Sequence, residues 1–238
     1  MPLVTHDTIL SDLIAGEPSI IPVLNRFGIY LGCSDYTVRA ICLRHNIDEV
    51  FLITILNTFI NDEYFPESRL KTFCASTITG YLRQTNEGYL RISLPNIERH
   101  FKSLISLSGT QDNNLSMIYD FFRGLHADIM ARIKDDGQWF DRIDGMERDI
   151  AANGWTLSHC AVTADADLSI PDKLHDLKNI FIRHLEGRYD ANLCYAVIVS
   201  VLALEKEVRQ NDRIRNRILL PLSENMQRTI QSQTSAGR

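Results

Sequence analysis

The chain has 238 residues, 45% of them apolar and 23% charged, with 25 Lys and Arg against 30 Asp and Glu, a formal net charge of -5 and a pI near 5.8. This profile excludes collagen, disordered and disulfide-dense chains, and the length suffices to bury an apolar core without metal or crosslinks. The acidic balance argues against a phosphate-binding surface, which needs clustered cations, so no nucleic-acid partner is expected.

The first ten residues, MPLVTHDTIL, lack a basic region ahead of an apolar block, so no signal peptide is expected and the chain reads as cytoplasmic. Residues 11–15, 20–27, 37–45 and 48–59 each place apolar side chains three and four apart, the pattern of short helices, and Gly28 stands where a helix needs a C-terminal cap. The stretch 37–59 has the outline of a helix-turn-helix. However, residues 1–62 carry three Arg and no Lys against seven acidic residues, a balance that repels DNA. The charged segment NDEYFPESR at 61–69 contains Pro66, which stops a helix, and it sets the expected boundary of a small helical domain over 1–62.

Four longer stretches follow. The first carries Leu90, Leu94, Ile97, Phe101 and Leu104; the second Ile118, Phe122, Leu125 and Ile129; the fourth Val197, Val201, Leu204, Val208 and Ile218. Their steps alternate between three and four, the seam of helices packed nearly parallel. The third, 171–186, puts His175, Ile182 and Leu185 on one face with Lys178 interrupting it. The expectation is an all-α fold with an up-down four-helix bundle over 70–226, a long surface connection at 145–169 and a polar tail at 227–238. The long apolar uncharged runs 50–61 and 191–204 fall short of the roughly 20 apolar residues that a bilayer requires, so no membrane association is expected.

Continuing each seam by its own arithmetic brings polar residues inward. Arg132 and Asp136 follow Ile129, Asn211 and Arg215 fall between Val208 and Ile218, Glu87 precedes Leu90, and Ser108 follows Leu104. A buried charge without a partner is very costly, so two arginines and two carboxylates aimed at one core must pair with each other or with a ligand. Arg209, Arg213 and Arg217 line another helix face, read as a solvated face with ion pairs to Glu205 and Asp212, an anionic partner being the alternative. The five cysteines, Cys33, Cys42, Cys74, Cys160 and Cys194, are odd in number and form no CxxC pair, which fits reduced thiols.

Three stretches carry a family resemblance. FGIYLGCSDYTVRAICLRHNID (27–48) resembles the N-terminal domain of the iron-sulfur cluster repair proteins of the RIC or ScdA type, Cys33 matching the second cysteine of their Cys-Cys turn and Gly32 standing at the first. ITGYLRQTNEGYLRISLPNIE (78–98) resembles the first helix of their hemerythrin-like domain, and NDRIRNRILLP (211–221) its last. The resemblance implies a pair of irons held by five histidines and two glutamates. At those positions this chain has Glu87 and Ser108 on the first helix, Arg132 and Asp136 on the second (or, shifted by one, Ala131 and Asp135), His175 on the third, and Asn211 and Arg215 on the fourth. A guanidinium offers no lone pair to a metal. The implied protein is therefore a diverged, non-catalytic relative without a metal cofactor, its former iron site turned into a salt-bridge network; any residual metal would fall to His175, Glu87 and Asp136. It would act as a binding or regulatory module with a protein partner or as a homodimer, with Cys33 a candidate redox thiol. The alternative is a working di-iron protein that repairs clusters under nitrosative or oxidative stress.

Overall fold

Polar residues at helix ends set the local structure of the N-terminal segment. In this computed structural model, residues 2–108, 114–157 and 169–236 are described. After α1 (Leu10–Gly16) and α2 (Ile21–Arg26), Gly28 adopts φ 72°, and the Ile29 N–H returns to the Leu24 carbonyl, closing α2 as its sequence requires. The Thr37 hydroxyl accepts the Ala40 N–H at the start of α3 (Val38–His45), and the Asp48 carboxylate accepts that of Phe51 at the start of α4 (Glu49–Ile60). A short α5 (Glu67–Leu70) follows Pro66. The long helices are α6 (Ala75–Gly88), α7 (Leu94–Ser108), α8 (Leu115–Ala152), α9 (Ser169–His184), α10 (Ala191–Ile214) and α11 (Leu220–Ala236). Among the described residues the only extended pairing is a single bridge between Ile9 and Thr37, so the chain is all-α. No described helix is long and apolar enough to cross a membrane.

The described residues fall into two compact units, 2–85, 140–157 and 213–236 in one and 86–108, 114–139 and 169–212 in the other. In the first, Phe27 stacks on Tyr81 with ring centroids 5.7 Å apart, and Phe51 meets both Phe73 and Tyr81 edge-on. This aromatic cluster ties the N-terminal helices to α6, across the boundary expected at 61–69. Within the same unit, buried Asn57 holds the N-terminal segment, accepting the Val4 N–H at 2.7 Å and donating to its carbonyl at 2.9 Å. In the second unit, one core gathers Leu94, Ile97, Phe101 and Leu104 with Ile118, Phe122, Leu125 and Ile129, and with Leu174, Leu177, Val197, Val201, Leu204 and Val208.

Three expectations from periodicity change. First, α7 and α11 are each preceded by a π turn, Tyr89–Ser93 and Arg215–Leu219, and each turn closes where the residue before a proline donates to a carbonyl five back: Leu94 to Tyr89, Leu220 to Arg215. Pro95 and Pro221 have no N–H and crowd the preceding turn, so an extra residue is absorbed there. The two sites share the sequence Arg-Ile-x-Leu-Pro. Second, α8 runs on through Gly145 to Ala152, where a connection was expected. Its inward face continues beyond Asp136 through Phe140, Ile143 and Ile150. Third, α9 buries Ile170, Leu174, Leu177 and Phe181 and leaves Ile182 65% exposed. The expected tail is helical through Ala236, with Thr229 buried. The acidic residues Asp165 and Asp167 and Cys160 lie outside the described residues.

Candidate functional site

The buried seam of α8 turns polar at Arg132, one turn past Ile129. Its guanidinium forms a forked pair with Asp212 of α10, one limb at 2.9 Å, and its Nε lies 3.9 Å from Asp136. The three side chains are 14%, 7% and 6% exposed. Burial opposes the charge on Arg132, but the hydrogen bonds and charge of Asp212, followed by the charge of Asp136, more than offset it and leave its pKa raised. Asn211 extends the polar layer: its amide donates to the Tyr89 hydroxyl at 3.0 Å and to the Glu207 carbonyl at 2.7 Å. Both Tyr89 and Asn211 are buried.

A second cluster in the same unit centres on Glu205, whose side chain is 7% exposed. Lys178 (2.8 Å), Arg209 (3.0 Å) and His175 Nδ1 (3.2 Å) all reach one oxygen of its carboxylate, and Lys178 also lies 3.0 Å from His175 Nδ1. His175, the histidine that the resemblance matched to a metal ligand, is thus half exposed and within hydrogen-bond distance of Glu205.

The other residues singled out from sequence lie elsewhere. Glu87 is exposed and pairs with Arg91 at 2.6 Å, because the π turn at Tyr89–Ser93 shifts the register by one and turns Tyr89 inward in place of Leu90. The carboxylate expected from Glu87 is supplied by Asp212. Ser108 accepts the Asp190 N–H at 2.9 Å at the end of α7. Arg215 belongs to the other compact unit, is partly buried and donates to the Asn216 side chain at 3.0 Å. Ala131 and Asp135 are exposed, so the register through Arg132 and Asp136 is the inward one. Arg213 and Arg217 are not a plain solvated face: they lie 4.7 and 4.2 Å from the centre of the Phe65 ring, Arg213 donates to the Tyr64 carbonyl, and Arg217 pairs with Glu67. Cys33 is buried, its thiol directed at the Tyr30 carbonyl at 3.2 Å, in a turn where Gly32 and Ser34 take positive φ. Burial, reinforced by Glu49 and Asp48, pushes the Cys42 thiol up to about 11.

Sequence reasoning missed Asp212, Tyr89 and Glu205 as inward residues. The signal for Tyr89 was the Leu-Pro pair at 94–95; Asp212 lies one residue past Asn211, on the same inward arc. These donors do not suit a pair of irons. At the positions where the resembling family has ligands, this chain presents a guanidinium engaged by both nearby carboxylates, an amide, a hydroxyl at a helix end and a histidine already facing Glu205 and Lys178. Among the described residues no group of three or more His, Cys, Asp or Glu is placed to hold a metal ion. Comparison of the chain with protein-family models, with curated proteins and with solved structures gives no match.

Proposed function

We propose that this chain is a non-catalytic, metal-free relative of the iron-sulfur cluster repair proteins, with a hemerythrin-like four-helix bundle that serves as a binding or regulatory module. One observation carries the reading: Arg132 lies between Asp136 and Asp212 in the interior, so that a fixed cation takes the charge-balancing role that iron has in the proteins it resembles. The buried amide of Asn211, bonded to the Tyr89 hydroxyl, continues the same layer with hydrogen bonds in place of metal ligation. A guanidinium stays protonated at any physiological pH, so this core holds its charge without cofactor loading.

Anaerobic reconstitution with ferrous iron followed by elemental analysis tests the reading. The expected content is far below one iron per chain. About two irons per chain, the stoichiometry of a carboxylate-bridged pair, would overturn it and restore the di-iron alternative.

A further inference from the structure

Residues 191–204 of α10 contain no charged side chain, yet one stripe of them suffices for the core. Val197, Val201 and Leu204 are buried, whereas Tyr195 (70% exposed), Val199 (43%) and Leu202 (41%) stand four and three apart on another face. A helix that is apolar all round is ordinarily covered on every side. Ile182 of α9 is 65% exposed as well. The short connection from α9 to α10 makes the two helices antiparallel, and Lys178 meets Glu205, so one turn on, Ile182 is level with the turn of α10 that carries Leu202. The rim of the patch is basic: Lys178 and Arg209 are two permanent cations sharing the single carboxylate of Glu205, with His175 beside them.

We infer that this face of α9 and α10 docks a short amphipathic helix of another protein, with Asp or Glu flanking its apolar stripe. The inference rests on the reading of the chain as a binding module and names its partner class. The apolar side chains at helical spacing supply the buried area, and the surplus of positive charge selects an acidic flank. A second copy fits less well, because a two-fold contact presents each patch to itself and brings like-charged rims together.

The probe is a fluorescently labelled helical peptide about four turns long, with Leu at i, i+4, i+7 and i+11 and Glu on both sides, compared with a twin carrying Lys at every Glu position. Titrated with the full chain, the Glu peptide is expected to saturate in the micromolar range, at least about tenfold more tightly than the Lys twin, and to weaken as salt rises. Leu202→Asp and Tyr195→Asp should each weaken it about tenfold with circular dichroism unchanged, and Arg209→Glu should reduce the preference for the acidic peptide. Equal affinity for the two peptides, or no saturation by the Glu peptide, overturns the inference. So does a dimer in light scattering that Leu202→Asp dissolves, since the occupant is then a second copy. Iron uptake in the elemental assay would defeat the binding-module reading itself, whereas failure of the peptide defeats only this face.

Discussion

Two charge clusters in one compact unit invert each other. Around Arg132, one cation is held by two carboxylates and every member is nearly excluded from water; around Glu205, one carboxylate is held by Lys178, Arg209 and His175, of which Arg209 and His175 stay 57% and 48% exposed. The difference shows that burial of the partners, more than the number of contacts, decides what a pair contributes. When a largely buried pair loses one member, the other keeps little access to water. When Glu205 is lost, its exposed partners turn to solvent.

The largest effect expected from this contrast is at Arg132. Arg132→Leu removes the guanidinium that Asp136 and Asp212 share and should cost about 3–5 kcal/mol in urea denaturation. Adding Asp136→Asn and Asp212→Asn should recover most of that loss, because the group behaves as a unit. A single-mutant loss no larger than that of Glu205→Gln would erase the distinction between the clusters. Next in size is Asn211→Leu, which removes the amide that donates to the Tyr89 hydroxyl and the Glu207 carbonyl and should cost about 1–3 kcal/mol in the same denaturation assay. Glu205→Gln should cost about 1 kcal/mol and lose much of its effect in high salt, whereas the Arg132 penalty should persist there.

The smallest effect sharpens the comparison from outside. On the other compact unit, the hydrogen bond from Lys71, helped by that from Arg217, holds the Glu67 carboxyl below its ordinary value of 4.5. A depressed carboxylate contributes stability above its unfolded pKa and loses it as pH falls through the folded one. The small stability gap between wild type and Glu67→Gln should therefore be present at neutral pH and close on acidification below about 4.5, as read by denaturation at a series of pH values.

Much of the helical architecture was legible because it depends on neighbours in sequence. Thr37, Asp48 and Gly28 cap or end their helices through bonds spanning three to five residues, and the seams of 94–104, 118–129 and 197–208 bury the side chains that periodicity places inward. At the polar layer, Arg132, Asp136 and Asn211 were legible as continuations of those seams. Glu87 was not, since extrapolation by threes and fours assumes an unbroken helix, and Pro95 breaks that assumption by one residue. The α9 face was misread for a related reason: His175 and Ile182 share a side, but the apolar set that packs is Leu174, Leu177 and Phe181.

The amino-acid order by itself determined that the chain is helical, that its core is apolar, and that charges interrupt that core at Arg132 and Asp136, because helix spacing and caps are local properties. Tertiary structure alone decided which charge answers which. Asp212 pairs with Arg132 across 80 residues, and Lys178 reaches Glu205 from another helix. Side chains so distant in sequence meet only when folded helices exclude the water that would otherwise screen each of them separately.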